Sequence, residues 1–331
     1  MFAPVAEVPR STAEASPTGP SAAGAGTSGT KIDHRTRVPW YKRTAPYAYL
    51  APALVMLVLW TYWPLLQTFQ LSFYDWNMLP TSPKEFVCID KYIDVATLPE
   101  GIKGLWNTVL YTAAFAVFSL VLPIVIALVS QQVRGRWKTF YQAMIFVPFL
   151  ITPVASAAIW RWLFAANGGA IPSTLSAFGI ELGNVFRNPD LALWAIVVIV
   201  GWQMLGFGVL VVSAGVAGIS PEYAQAAGLD GAGAWEIVKR ITLPLLSPTL
   251  TFLGLMTILL AAQWTYPIID VLTQGGPSNS TTNMYYLLYQ FGFQSFDTGL
   301  SSAAGVVFFI AFGLVAMLYL RLTARFNFYD D

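Results

Sequence analysis

Six stretches of this 331-residue chain run for about twenty residues or more with no charge at their centres, at roughly 47–73, 105–130, 140–163, 192–217, 243–269 and 300–322. A helix needs roughly 20 apolar residues to cross a hydrocarbon layer of about 30 Å, and within lipid only helices and closed barrels satisfy their own backbone groups. Composition agrees: 56% of the residues are hydrophobic and 11% charged, against roughly 25% charged in soluble domains. The expected fold class is an all-α membrane protein with about six transmembrane helices.

An even number of spans puts both termini on one side. With that topology 13 of the 18 Lys and Arg residues share the side of the termini, and only Lys84, Lys91, Lys103, Arg161 and Arg187 fall opposite. Positive residues stay on the cytoplasmic side, so both ends are expected there, in a bacterial or archaeal plasma (inner) membrane. Residues 1–45 are expected to form a disordered basic cytoplasmic tail. They are rich in Ala, Ser, Thr, Pro and Gly, lack a signal-peptide core, and end in Lys31, Arg35, Arg37, Lys42 and Arg43. A spanning domain is expected over 46–326 and a short cytoplasmic tail over 327–331. Prolines 64, 123, 148, 153, 248 and 267 lie inside or at the edges of the runs and are expected to kink or break them.

The same composition excludes several functions. A net charge of +1 gives no field for nucleic acid. One Cys (Cys88) and one His (His34) leave no disulfide, no His/Cys metal cluster and no His-based triad, so no catalytic residue is assigned. The centres of the runs hold no carboxylate for ion coupling, which counts against a secondary carrier or channel. Nor is there a Gly-Lys-Ser/Thr phosphate loop, so ATP is not bound by that route.

Between the fourth and fifth runs, residues 221–240 are too polar to cross. Ser220 is a suitable N-cap and Pro221 a suitable first helical residue for a short helix through Ala227. Glycines near Asp230 stop it, and a second short helix is expected from about Ala232 to Arg240. A slim helix-turn-helix of this kind can enter a groove on another protein.

The spacing Gln225-Ala226-Ala227, three residues, Gly231, nine residues, Ile241, one residue, Leu243-Pro244 resembles the signature loop of permease subunits of binding-protein-dependent ABC importers. Asp230-Gly231-Ala232-Gly233, Leu272-Thr273-Gln274-Gly275-Gly276-Pro277, Asn107-Thr108 and the stretch Pro148 to Trp160 resemble the carbohydrate-uptake branch, the maltose- and glycerol-3-phosphate-type permeases. The likeness covers roughly residues 45–325.

That resemblance implies a permease without an ATPase site of its own, importing a sugar or sugar-like solute; glycerol phosphate and amino acids are the alternative substrates. It implies a second permease subunit, two ATP-binding subunits carrying ATP and Mg, and an extracytoplasmic solute-binding protein. The loop, with Glu222, Gln225, Ala226, Ala227, Asp230, Gly231 and Gly233, would couple to the ATPase. The family's usual Glu at the first signature position is Gln225 here, which replaces a charge-assisted bond by a neutral one. Glu222, one turn earlier, either takes over that contact or is an ordinary N-terminal Glu favoured by the helix dipole.

Sugar binding needs polar groups beside aromatic faces. Candidates for the substrate path are Trp202, Gln203 and Phe207 in the fourth run and Gln263, Trp264, Tyr266 and Asp270 in the fifth. Each could equally be packing. No basic pair that would hold a phosphate is evident in these two runs.

Overall fold

The computed structural model describes residues 40–130 and 135–324. Residues 1–39 of the tail expected over 1–45, together with Arg134, Arg325 and residues 327–331, lie outside the described residues. By contacts the chain divides into a first unit, Met1–Val55, and a second, Met56–Asp331. Of the first, residues 40–55 are described, all of them in the helix Trp40–Leu57, which begins within the stretch read as tail.

Among the described residues five helices are long and apolar enough to cross a membrane: α1 (Tyr49–Leu71), α3 (Pro99–Ser130), α7 (Pro189–Ala217), α10 (Ser247–Leu272) and α12 (Thr298–Thr323). A short helix α2 (Asp90–Thr97) precedes α3. The expected third span, 140–163, is not one helix. It consists of α4 (Arg136–Leu150) and α5 (Pro153–Leu163), bent by 97° at the break. The cause is local: Pro153 disfavours helical geometry at the residue before it, and Thr152 is extended (φ −61°, ψ 144°). Its side chain then caps α5 by accepting from the Ala155 N–H.

Other prolines behave differently from the expected kinks. Pro64, Pro123 and Pro244 each follow a π-helical turn, Val58–Tyr62, Val117–Val121 and Val238–Thr242. In these turns the N–H of Trp63, Leu122 and Leu243 reaches back five residues to the carbonyls of Val58, Val117 and Val238. Widening the helix by one residue just before a proline accommodates its missing N–H without a break. Pro153 and Pro248 stand in first helical turns, where proline is tolerated.

Burial grades the spans. The most apolar window of α7 is 61% buried, that of α10 44%, that of α12 11% and that of α1 0%. Central α7 is carpeted with small residues that admit neighbours closely. A Cβ on Gly206 would lie 2.8 Å from the Phe146 Cα, and one on Gly208 2.8 Å from the Ser119 carbonyl oxygen. Ile196, Ile199 and Val200 of α7 join Tyr111 and Phe115 of α3 and Ile268 and Ile269 of α10 in the main core.

Between the spans lie α6 (Ala170–Ser176), a 3₁₀ turn Val185–Arg187, α8 (Pro221–Leu229), α9 (Ala234–Ile237) and α11 (Met284–Tyr289). A two-residue antiparallel ladder pairs β1 (Tyr74–Asp75) with β2 (Glu85–Phe86).

Candidate functional site

The helix-turn-helix stands as its own backbone dictates. Ser220 Oγ accepts from the Glu222 N–H, Pro221 opens α8, and the helix runs to Leu229, two residues beyond its expected end. Gly231, at φ +83°, then closes it: the Ala232 N–H donates to the Ala227 carbonyl (3.0 Å) and the Gly231 N–H to that of Gly228 (3.1 Å). This double bond pattern needs a left-handed residue at 231, which glycine supplies at no steric cost. The second helix starts at Ala234 rather than Ala232 and passes into the π turn that precedes Pro244.

Among the described residues this segment is largely exposed. Glu222, Gln225, Ala226, Asp230, Gly231 and Gly233 are exposed and Ala227 is half-buried. Leu229 is 91% and Trp235 74% exposed. A Cβ on Gly228, Gly231 or Gly233 would meet nothing within 4 Å, so packing within the chain does not require glycine at these positions. One surface ion pair, Arg240 to Glu236 at 3.1 Å, braces α9.

The substrate-path candidates separate into two groups. Gln263, Trp264 and Tyr266 line one open pocket of about 380 Å³, together with Pro153, Pro267 and Tyr285. Pro267 has no N–H, so the Gln263 carbonyl loses its helical donor and remains available beside its own side-chain amide. Tyr266 is ringed by Tyr285 (5.7 Å between centroids), Tyr286 (6.2 Å) and Tyr289 (5.3 Å). The pocket therefore presents aromatic faces, an amide and phenol hydroxyls, and no charged side chain lines it.

Trp202, Gln203, Phe207 and Asp270 do not line it. Gln203 is fully buried and its Nε2 donates to the Ile151 carbonyl at 2.9 Å, serving a backbone oxygen freed by the bent span. Phe207 stacks on Phe149 (5.2 Å), which stacks in turn on Trp264 (5.5 Å). Trp202 meets Trp160 edge to face at 5.6 Å, and Asp270 is half-buried in the last turns of α10. A helical step of 100° between neighbours is what turns Trp202 and Gln203 to different surroundings.

At the far end of α10 the loop 273–283 is sewn onto α3. Asn107 Nδ2 donates to the carbonyls of Asn279 (3.2 Å), Ser280 (3.0 Å) and Thr282 (2.9 Å). Tyr111 Oη donates to Thr281 O at 3.0 Å and Lys103 Nζ to Ser278 O at 2.6 Å. Three non-glycine residues of the loop, Gln274, Ser278 and Asn279, have positive φ (51°, 50° and 58°), and the latch offsets that cost. Asn107-Thr108 and Leu272 to Pro277, distant in sequence, thus belong to one assembly. Elsewhere Lys91 bridges Asp75 and Asp297, at 3.0 Å to each. Burial lowers the pKa of its ammonium, but the two carboxylates outweigh that and hold it above the ordinary lysine value.

No protein-family profile matches the chain. Known relatives do. The sn-glycerol-3-phosphate transport system permease protein UgpA of Escherichia coli (strain UTI89 / UPEC) is 28% identical over 296 residues, 88% of this chain and 99% of that protein. UgpA of Salmonella typhimurium (strain LT2) is 29% identical over 273 residues, 82% of this chain and 91% of its own length. Among solved structures, a bacterial ABC transporter involved in the import of the acidic polysaccharide alginate matches with a TM-score of 0.76 at 21% identity, over 86% of this chain and 97% of that one. A bacterial alginate ABC transporter in complex with alginate pentasaccharide-bound periplasmic protein matches with a TM-score of 0.75 at 20% identity, over 86% and 96%.

Proposed function

We propose that this chain, an ABC importer permease of the carbohydrate-uptake branch by sequence likeness and by fold, forms one half of an ATP-driven path that brings a sugar or sugar-like solute into the cell. The observation that carries the reading is the 221–240 segment: a rigid, capped helix-turn-helix outside every span, with Leu229 and Trp235 almost bare. Large apolar side chains exposed together in one short segment between spans suit docking against a partner. The signature spacing assigns that partner as an ATP-binding subunit, which supplies ATP and Mg.

In this mechanism the chain performs no covalent step. Closure of two ATP-binding subunits pulls the segment, the spans rock, and the path opens to an extracytoplasmic solute-binding protein; hydrolysis resets it. A second permease subunit completes the path, and both termini of this chain face the cytoplasm of a bacterial or archaeal cell. The pocket of Gln263, Trp264, Tyr266 and Tyr285 supplies ring-stacking faces and neutral hydrogen-bonding groups of the sort that a polyhydroxylated solute needs. The relatives' names put glycerol 3-phosphate and alginate forward as related solute classes.

The test is a mild-detergent pull-down of the tagged chain from its native membrane, with mass spectrometry and an ATPase assay. Recovery of an ATP-binding subunit and a second multi-span chain is the expected result. Recovery of the chain alone, without ATPase activity, would sink the importer reading in favour of an ion-coupled carrier.

A further inference from the structure

Two cations that the sequence sets apart meet in one place. Arg161 ends α5 and Arg187 ends the 3₁₀ turn before α7, yet both line a pocket of about 310 Å³ with Thr273, Gln274, Gly276 and Pro277. No carboxylate is among the lining residues. Among the described residues neither arginine has a carboxylate within ion-pair distance, and the Arg187 side chain has no hydrogen-bond partner, its backbone N–H alone donating to the Asn184 carbonyl at 3.1 Å.

Each side of this pocket is fixed in advance. Phe186, beside Arg187, is buried in the main core, so the backbone presenting Arg187 cannot swing freely. Arg161 donates one Nη2 hydrogen to the Val271 carbonyl at the end of α10, which leaves most of its guanidinium donors free. The floor is the 273–277 stretch, held by Thr281 Oγ1 donating to Gly276 O and Thr282 Oγ1 to Gly275 O, each at 3.0 Å, and by the Gln274 N–H on Ile269 O at 2.7 Å. Two like charges collected on a rigid frame repel one another, and the arrangement is stabilised when an anion sits between them. Guanidinium forks match carboxylate and phosphate oxygens bidentately.

We infer that the Arg161–Arg187 pocket is an anion site that receives the acidic group, a carboxylate or a phosphate monoester, of the transported solute. The inference rests on the importer reading, under which this end of the bundle is where solute enters. A volume near the lower end of the roughly 300–1,000 Å³ of ligand pockets suits an acidic group with one sugar ring rather than a longer chain.

Arginine labelling of the complete complex tests this. The complex, purified with its partner subunits and placed in phosphatidylcholine nanodiscs, is treated with phenylglyoxal at constant ionic strength, and adducts at Arg161 and Arg187 are followed by mass spectrometry. Glucose 6-phosphate or galacturonate is expected to slow labelling of both arginines by about fivefold or more, while glucose and galactose leave it unchanged. In R187Q, whose replaced side chain has no partner to lose, protection of Arg161 is expected to vanish. Equal rates with acidic and neutral sugars would overturn the anion site. Protection by phosphatidylglycerol nanodiscs to which glucose 6-phosphate adds nothing would assign the pocket to a lipid headgroup and overturn the solute assignment. Recovery of the ATP-binding subunit in the same preparation reports on the importer reading separately, so labelling failure with that subunit present overturns this inference alone.

Discussion

Two segments outside the spans carry most of what is specific to this chain, and they are built in opposite ways. Loop 273–283 is sewn to α3 by side chains whose partners are all within the protein: Asn107 to three carbonyls, Tyr111 to a fourth, Lys103 to a fifth. Segment 221–240 is held by its own caps and by little else, and its largest apolar side chains face outward. The contrast teaches where residue identity comes from. In the latch, the protein's own hydrogen bonding explains Asn107, Tyr111 and Lys103; in the helix-turn-helix, packing among the described residues does not account for Gly228, Gly233, Leu229 or Trp235.

The contrast can be broken in order of expected effect. N107A should be the most damaging to the fold, because several partly buried carbonyls lose their donor at once, at about 3 kcal/mol. Denaturation of the detergent-solubilised protein would show it, and a loss below about 1 kcal/mol would mean that the latch is ornamental. G231V comes next: a β-branched residue at φ +83° costs about 2 kcal/mol locally. ATP-dependent uptake should fall roughly thirtyfold with the amount of membrane-inserted chain unchanged; normal uptake would end the coupling assignment. W235A should leave stability unaltered, since the ring is 74% exposed, yet weaken binding of the ATP-binding subunit by about tenfold, some 1.4 kcal/mol. If it destabilised the isolated chain instead, the two segments would not differ in kind.

Smaller effects are expected at the ion pairs. K91M should cost about 1 kcal/mol at pH 7 by removing the bridge between Asp75 and Asp297. Because the folded-state pKa of Lys91 lies above its ordinary 10.5, the contribution is fully present below pH 10.5 and is lost as pH rises through the folded value. The gap between wild type and variant should therefore be constant from pH 7 to about 10 and close above that, as equilibrium unfolding across this range would reveal. R240A, which breaks only an exposed i,i+4 pair, should change stability by less than about 0.5 kcal/mol.

Features that depend on consecutive residues were legible. Five of the six expected spans, the capped start of α8 at Ser220-Pro221 and the glycine turn at 231 all follow from run length, capping and backbone preference. Reading prolines was less successful, because the same residue breaks one helix and is absorbed by a π turn in another. Pro153 follows an N-capping Thr152, whereas Pro64 and Pro123 follow residues with no capping side chain. The Thr-Pro pair was a signal present in the sequence for the 97° bend.

Other parts of the site had no local signal. Gln203 was a candidate for solute contact on its chemistry, but it is fully buried and its amide nitrogen donates to Ile151 of the bent span, 52 residues away. Tyr285, which does line the pocket with Gln263, Trp264 and Tyr266, comes from a different element. Arg161 and Arg187, each unremarkable in its own loop, become a pair only where α5, the 3₁₀ turn and the end of α10 converge.

The sequence by itself determined which stretches form apolar helices long enough to cross a membrane and where a capped helix-turn-helix stands between two of them, because lipid and water act on each short segment independently of the rest. Which side chains share a pocket was decided only by the tertiary structure. Packing around the glycine-rich α7 brings together residues separated by tens to more than a hundred positions, and no local preference encodes that distance.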